Sequence, residues 1–175
     1  EAAYEKTFAY FNLGPFPPYE SLKGIKTREI FDRYQSVYSN TDELAHYKSS
    51  IYQAGLSAVK PFVDMDLLKQ LSVKGVGLYI VSGGSRKSIE GWLKIHQVQD
   101  LFNGIVCAED YHTSKPDPEP FLHCIRQYEL VGEIHGVEDS VQGIQSVRAA
   151  HLHAVGVHNP VVEKLADAYY PSINT

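Results

Sequence analysis

The sequence contains only two cysteines among its 175 residues, Cys107 and Cys124, which is too few for a disulfide framework. Cys107 lies in an apolar strand pattern and Cys124 in a helical one, so both are expected to be buried free thiols in a reducing compartment. The chain also lacks an apolar run of the roughly 20 residues that a membrane span needs. Its first residues are acidic and amphipathic, unlike a signal peptide. We therefore expect a cytoplasmic protein with no membrane as a partner.

Clusters of positive charge are absent as well. The 16 lysines and arginines are scattered and are outnumbered by 21 acidic residues, which gives a formal net charge of −5. This balance gives no support for nucleic acid or an anionic membrane surface as a partner. The chain shows no internal repeat and no low-complexity tract, and its length fits one domain with or without a small insert. None of these features predicts an oligomeric state.

The first 60 residues show helical periodicity and no convincing strand. Apolar side chains recur at i, i+3 or i+4, and i+7, which is the spacing of one helix face. Three such sets occur: Tyr4, Phe8 and Phe11; Ile30, Tyr34 and Val37; and Leu44, Tyr47 and Ile51. Ser39-Asn40-Thr41-Asp42 is an N-cap signal before the third set. We predict a small helical domain over residues 1–60.

From residue 61 onward, strand patterns alternate with helical ones. The predicted strands are 76–81, 104–108, 134–137, 154–157 and a short last one at 169–170. The predicted helices are 66–71, 85–95, 118–128, 141–150 and 161–166. Alternation of this kind predicts an α/β domain over residues 61–175, with a doubly wound parallel sheet that is covered by helices on both faces.

Polar residues follow several of these apolar runs, at the points where helical patterns are about to begin. Ser82 ends the first run, Lys115 precedes the helix at 118–128, and Glu138 and Asp139 follow the strand at 134–137. Strand ends of this kind collect at one crevice of an open parallel sheet, where ligands bind. A hydroxyl, a lysine and two adjacent carboxylates at that crevice suit a phosphate group and a divalent metal.

Each of these residues also has a simpler interpretation. Ser82 could cap the helix that follows it, and Lys115 could be a solvated loop lysine. Asp139 could cap the helix that begins near residue 141 and complement its dipole. The structural and the chemical roles of Asp139 are compatible with each other.

Taken in order and spacing, these segments resemble the haloacid dehalogenase superfamily, and within it the phosphatase and β-phosphoglucomutase-like branch. The resemblance covers nearly the whole chain. The second motif of the family resembles Val81-Ser82-Gly83-Gly84-Ser85, the third resembles Ser114-Lys115-Pro116-Asp117-Pro118, and the fourth resembles Gly136-Val137-Glu138-Asp139-Ser140. The resemblance implies a Rossmann-type α/β sheet with a helical cap. We refer to residues 1–60 as the cap and to residues 61–175 as the α/β domain.

The resemblance implies a phosphatase in which an aspartate attacks a phosphomonoester and water hydrolyses the aspartyl-phosphate, with Mg²⁺ neutralising charge. Ser82 and the backbone amides of Gly83 and Gly84 would bind the transferred phosphoryl group. Lys115 would pair with the phosphate and with the nucleophile, and the resemblance suggests a cis bond from Lys115 to Pro116.

The resemblance also implies the metal ligands and the substrate contacts. Glu138 and Asp139 would hold Mg²⁺. Lys23 lies in a cap loop that faces the site in the mutase branch, so it is a candidate substrate contact, and Arg28 is a weaker one. An arginine expected shortly after that loop in the sugar mutases is displaced here, which favours a phosphatase over a mutase.

The sequence departs from the family at its first motif, the aspartate-x-aspartate-x-threonine that carries the nucleophile. The one similar stretch, Asp64-Met65-Asp66, lacks the following glycine and threonine and opens a helix, so we interpret Asp64 or Asp66 as a helix N-cap. Residues from Glu1 resemble those that directly follow the first motif. We therefore expect that roughly 15–20 residues, one strand and its catalytic loop, precede the chain. That strand would lie between those ending at Ser82 and Glu138.

The sequence thus predicts a Mg²⁺-dependent phosphatase of a small phosphorylated metabolite, inactive as these 175 residues alone. One alternative is a β-phosphoglucomutase-like sugar-phosphate mutase that uses the same site. Another is a catalytically inactive fragment of the same fold that acts as a binding module.

Overall fold

The structure is a computed structural model that describes residues 1–61 and 65–172. Residues 1–60 contain helices and turns and no strand. The three α-helices of the cap are α1 (Ala2–Tyr10), α2 (Thr27–Asp32) and α3 (Thr41–Ala54), and short 3₁₀ turns lie at Tyr19–Ser21 and Leu56–Ala58. Asn40 caps α3, because its side chain accepts a hydrogen bond from the backbone N–H of Glu43. The helix predicted from Ile30, Tyr34 and Val37 is shorter than expected, since α2 ends at Asp32.

The cap has an apolar interior of its own. Phe8, Ile30, Phe31 and Leu44 are almost completely buried and form one cluster, with the ring of Phe8 packed edge-on against that of Tyr34. Every buried member of this cluster comes from the cap. Burial of such side chains contributes about 1.5–3 kcal/mol each, so this cluster is the main source of cap stability.

Strands and helices alternate after the cap. The strands are β1 (Tyr79–Val81), β2 (Gly104–Val106), β3 (His135–Glu138), β4 (His153–Val157) and β5 (Ala168–Tyr170). The helices are α4 (Met65–Val73), α5 (Arg86–His96), α6 (Glu119–Gln127) and α7 (Val141–Ala149), with further 3₁₀ turns at Gln99–Leu101 and Pro160–Val162. The predicted α/β class is confirmed.

The strands form two parallel sheets. In one sheet β1 pairs with β2, and in the other the order is β3-β4-β5. Within the described residues β1 and β3 each pair on one side only, and Val137 of β3 is 55% exposed. Ser82 directly follows β1 and Glu138 is the last residue of β3, so both lie at the carboxyl ends of strands, as the sequence predicts.

Helix α7 packs closely on the second sheet. Ile144 and Val147 are fully buried in a cluster with Ala154 and Val162. The approach is possible because β3 has a glycine, Gly136, where a Cβ atom would lie 2.3 Å from a methyl carbon of Val147. A substitution at Gly136 would therefore force the helix away from the sheet.

The join between the cap and the α/β domain is held by helix α5. The indole N–H of Trp92 donates to the carbonyl oxygen of Val59 over 2.8 Å, and Nε2 of His96 lies 2.9 Å from the same oxygen. The side-chain amide of Gln53 donates to Ser88 over 2.9 Å. These bonds attach the end of the cap to α5.

Some predicted elements are wrong or shorter. The helix predicted at 161–166 is only the 3₁₀ turn at Pro160–Val162. The chain leaves the helical path because Asp167 is tied to β4: its backbone N–H donates to the carbonyl of Ala154, and its carboxylate accepts from the N–H of Ala154, both over 2.8 Å. The first strand covers only Tyr79–Val81 of the predicted 76–81. Asp66 lies in the first turn of α4 rather than at its N-cap, and Asp64 lies outside the described residues.

Both cysteines are buried free thiols, as predicted. Cys107 directly follows β2 rather than lying in it, and Cys124 is on α6. Burial raises the pKa of each thiol to about 11, so both remain protonated and unreactive at neutral pH.

Candidate active site

One large cavity lies between the cap and the carboxyl ends of β1 and β3. Its volume is about 1780 Å³. All of the site residues predicted from the sequence line it: Lys23, Ser82, Gly83, Gly84, Lys115, Glu138 and Asp139. The structure therefore brings together residues that lie up to 116 positions apart, as measured from Lys23 to Asp139.

Lys115 is buried at the floor of this cavity. Its side chain is 4% exposed, and its ammonium donates to the carbonyl oxygen of Val81 over 3.0 Å and to the carboxylate of Glu138. The ammonium also lies 4.8 Å from the centre of the Phe121 ring. The interpretation of Lys115 as a solvated loop lysine is wrong, because this lysine links the ends of β1 and β3. The bond from Lys115 to Pro116 is cis, as expected.

Glu138 is held in place by the start of α7. Its side chain is 11% exposed, and a Cβ atom at Gly143 would lie 2.0 Å from its Oε2. Only a glycine leaves room for that carboxylate. The helix cap is Ser140, whose hydroxyl accepts from the N–H of Gly143 over 3.0 Å. The interpretation of Asp139 as the N-cap of α7 is therefore wrong.

Asp139 points to the cavity with a side chain that is 51% exposed. Its carboxylate lies 3.0 Å from the ammonium of Lys23, which also contacts Glu20 at 2.9 Å. Burial alone would lower the pKa of Lys23, but the hydrogen bonds to Glu20 and Asp139 outweigh it and raise that pKa. The structure thus places the cap lysine directly against a predicted metal ligand.

Ser82 lies at the turn between β1 and α5. Its hydroxyl accepts a hydrogen bond from the N–H of Gly84 over 3.1 Å, and its carbonyl accepts from the Tyr111 hydroxyl over 3.2 Å. Ser82 does not cap α5, whose N-cap is Ser85. A Cβ atom at Gly83 would lie 3.2 Å from the carbonyl oxygen of Gly24, so this glycine allows the cap loop to approach closely.

Arg28 contributes less than Lys23 to this arrangement. Its guanidinium pairs with the carboxylate of Asp42 over 3.1 Å, and both side chains are about two-thirds exposed, at 66% and 68%. An exposed pair of this kind has little effect on stability.

Lys48 of α3 also lines the cavity, and the sequence analysis missed it. Its ammonium lies 4.5 Å above the centre of the Tyr4 ring and 3.3 Å from the Thr27 hydroxyl. Burial lowers its pKa to about 8, and the described residues provide no ion pair for it. A signal was present, since Lys48 follows Leu44 by four residues and so lies on the buried face of α3.

Glu138 and Asp139 are the residues at this site that could hold a metal ion. No cluster of three or more histidines, cysteines and acidic residues suited to a metal occurs in residues 1–61 and 65–172. Mg²⁺ is usually bound by one or two carboxylates together with waters and substrate phosphates, so the adjacent pair fits that ion.

Among the helices of residues 1–61 and 65–172, none is long and apolar enough to span a bilayer.

Parallel strands with polar residues at their carboxyl ends, faced by a helical cap, define the class of capped α/β enzymes with a Rossmann-like fold. The model of the haloacid dehalogenase-like hydrolases matches residues 2–157. The chain belongs to this family, as its motifs indicate.

The curated relatives include a β-phosphoglucomutase. The chain is 29% identical over 152 residues to β-phosphoglucomutase of Bacillus subtilis, a match that covers 79% of this chain and 66% of that protein. It spans smaller shares, 14% and 24%, of two other curated relatives.

The solved structures with similar folds include β-phosphoglucomutase of Clostridium difficile, with a TM-score of 0.84 and 24% identity over 99% of this chain and 85% of that one. Another is CbbY of Rhodobacter sphaeroides, solved as a mutant in complex with xylulose-(1,5)bisphosphate, with a TM-score of 0.80 and 18% identity over 98% of this chain and 86% of that one. At these identities the likeness concerns the fold.

Proposed function

We propose that this protein is a Mg²⁺-dependent phosphatase of a small phosphorylated metabolite. The observation that carries the proposal is the buried Lys115, which lies at one cavity with Ser82, Glu138 and Asp139. A buried cation beside a hydroxyl and two carboxylates suits the charge of a phosphoryl group and of its metal. The proposed division into a cap, residues 1–60, and an α/β domain, residues 61–175, has the site between its two parts.

The proposed reaction has two steps. A carboxylate oxygen attacks phosphorus, the ester P–O bond breaks, and the leaving oxygen takes a proton from a general acid. Water then attacks the phosphorus of the aspartyl-phosphate, which releases inorganic phosphate and regenerates the carboxylate. We place the nucleophile and the general acid outside residues 1–175, on a strand between β1 and β3. The cavity-facing edges of these two strands support that position.

Within the chain, Lys115 neutralises charge on the transferred phosphoryl group. The hydroxyl of Ser82 and the amide of Gly83 donate hydrogen bonds to its oxygens. The amide of Gly84 donates to the Ser82 hydroxyl in the structure, so it has to exchange that bond for one to the phosphoryl group. Glu138 keeps the Lys115 ammonium oriented, since the two side chains are bonded to each other.

Asp139, with Glu138 beside it, would hold Mg²⁺. When bound, this ion neutralises negative charge on the phosphate oxygens. Asp139 is bonded to Lys23 in the structure, so Lys23 has to release it or share it when the ion binds.

Lys23 and Lys48 are the proposed substrate contacts of the cap. Both ammonium groups line the cavity, and Lys48 has aromatic rings and a hydroxyl rather than a carboxylate as its neighbours. Such cations suit a second anionic or polar group of a small substrate.

Phosphate release from a panel of phosphomonoesters tests the proposal. The full natural protein should release phosphate with Mg²⁺ and not with EDTA, and residues 1–175 alone should be inactive. Lys115→Met should lower kcat on the order of 10²–10³-fold, because it removes one transition-state contact. Lys87→Met, at an exposed lysine of α5, is the matched control and should change little. Turnover by residues 1–175 alone would contradict the position of the nucleophile, and full activity of Lys115→Met would contradict the site.

A β-phosphoglucomutase-like mutase is the second candidate. The relatives named as phosphoglucomutases favour it, as does Lys23, which the cap loop brings to the site. Hexose 1-phosphates separate the two functions. A mutase converts them into the 6-phosphates, whereas a phosphatase releases inorganic phosphate and free sugar.

A further inference from the structure

The cap makes a further polar contact with the α/β domain, away from Lys23 and from the bonds to α5. The hydroxyl of Ser114 donates to the carboxylate of Glu29 over 2.7 Å and accepts from the backbone N–H of Lys26 over 3.1 Å. Ser114 is 5% exposed and directly precedes Lys115. The hydroxyl therefore joins the start of α2 to the loop that carries the buried lysine.

The side chain of Lys26 holds the other end of that loop. Its ammonium donates to the carbonyl oxygens of Tyr111 and His112, the latter over 3.0 Å, and it lies 4.3 Å from the centre of the Tyr111 ring. The hydroxyl of Tyr111 in turn donates to the carbonyl of Ser82. Lys26 thus contacts a residue that is bonded to the phosphate-binding turn.

We propose that Glu29 and Lys26 are positioning residues that couple closure of the cap to the placement of Lys115 and Ser82. Glu29 acts on Lys115 through Ser114, and Lys26 acts on Ser82 through Tyr111. Both chains of contacts start within one turn at the beginning of α2, so a single movement of the cap makes or breaks them together. This role depends on the proposed function of Lys115 and Ser82 in phosphoryl transfer.

The chemistry of the contact favours a specific role. Glu29 has no ion pair within the described residues, so the Ser114 hydroxyl is the partner that fixes its carboxylate. A hydrogen bond to a charged acceptor is about twice as strong as a neutral one. Ser114 can also turn its hydroxyl only one way, because it accepts from Lys26 while it donates to Glu29.

The first test measures cap closure without any assay of activity. Spin labels on Val37→Cys in the cap and Val131→Cys in the α/β domain report the distance between the two parts, since these positions are 58% and 91% exposed and both native cysteines are buried. Wild type should show a single narrow distance distribution. In Glu29→Ala the distribution should gain a component at longer distance. In Glu29→Gln, which keeps an acceptor oxygen, the distribution should stay close to that of wild type.

The second test measures kinetics of the protein that includes the proposed nucleophile strand. Glu29→Ala should lower kcat about tenfold and change KM less than about twofold, because a lost charge-assisted hydrogen bond misplaces Lys115 without removing a substrate contact. Asp42→Ala is the matched control, since Asp42 is also an acidic residue in the first turn of a cap helix but pairs with Arg28.

The outcomes separate this proposal from the proposed function. Distance distributions and kcat values that are the same in Glu29→Ala and wild type would overturn the coupling. Equal effects of Glu29→Ala and Asp42→Ala would overturn it too, since they indicate general damage to the cap. If no variant has phosphatase activity, the distance measurement still decides whether Glu29 holds the cap closed.

Discussion

Lys48 and Lys115 are both lysines at the cavity, but their neighbours differ. The ammonium of Lys115 donates a hydrogen bond to the carboxylate of Glu138. Lys48 has two tyrosine rings and the Thr27 hydroxyl, and burial lowers its pKa to about 8. The charge of Lys48 is therefore sensitive to pH near neutrality, and substrate binding through it should weaken as the pH rises through about 8.

The stability of the protein should depend on the titration of Lys48 in a defined direction. Because its pKa is lower in the folded than in the unfolded state, the unfolded state binds more protons between pH 8 and 10.5, and this residue makes folding more favourable as the pH rises through that window. Lys48→Met removes this pH-dependent contribution to the free energy of unfolding. Its stability relative to wild type should therefore be higher at about pH 7 than at about pH 10.

Urea unfolding of both proteins at the two pH values measures that difference. The comparison with wild type is needed, because the thiols of Cys107 and Cys124 also titrate in the alkaline range, with pKa values raised to about 11. A relative stability of Lys48→Met that does not change with pH would contradict the lowered pKa.

At the scale of elements, the fit of α7 against β3 decides where Glu138 points. Two glycines make that fit possible. Gly136 lets Val147 reach the strand, and Gly143 leaves space for the Glu138 carboxylate. The helix cap at Ser140 fixes the start of α7 between them. The position of a site residue thus depends on the absence of side chains at two neighbouring positions.

Gly143→Ala tests this dependence. The added methyl would lie 2.0 Å from Oε2 and 2.3 Å from Cδ of Glu138, and 2.8 Å from Oγ of Ser140, which caps the helix. We expect a loss of about 1–3 kcal/mol in the free energy of unfolding, as is typical of overpacking, together with reduced activity of the full natural protein. Gly91→Ala in α5 is the control, because its Cβ would meet the ends of two flexible side chains, Cδ2 of Leu56 at 3.1 Å and Oε1 of Gln53 at 3.8 Å. A Gly143→Ala protein as stable and active as wild type would contradict the packing described.

Tertiary hydrogen bonds explain why the helix predicted at 161–166 was wrong. Residues 161–166 have a helical pattern, but the two hydrogen bonds between Asp167 and Ala154 draw the chain into β5. A pattern of apolar residues carries no information about a bond to a residue 13 positions earlier. The alternation of strands and helices, by contrast, is local, and it was predicted with errors mainly at the ends.

At the scale of the whole molecule, each of the two sheets has a strand at the cavity that pairs on one side only within the described residues. Strand β4 pairs on both sides, whereas β1 and β3 pair on one side within the described residues. In residues 1–175, the amides of β1 and β3 should exchange with solvent faster than those of β4. In the full natural protein, the proposed strand between β1 and β3 should slow exchange at both.

Hydrogen exchange measured on the two forms in parallel tests this prediction. Exchange in β4 is the internal control, since its pairing is the same in both. Equal protection of β1 and β3 in the two forms would contradict a strand between them.

The site itself could be predicted in part from the sequence. Ser82, Lys115, Glu138 and Asp139 were predicted because each follows a strand or precedes a helix, and parallel topology brings such positions together. The contacts of Lys23 with Asp139 and of Glu29 with Ser114 depend on how the cap sits on the α/β domain. That orientation is set by tertiary packing, so no local pattern reveals it.

Trp92 is the one tryptophan of the chain, and its indole N–H is bonded to the carbonyl of Val59 at the join between the cap and the α/β domain. Indole emission responds to the polarity and hydrogen bonding around the ring. The protein therefore carries an intrinsic fluorophore at the place where its two parts are connected. Its fluorescence gives a label-free optical signal for rearrangements at that join, in the native sequence and in real time.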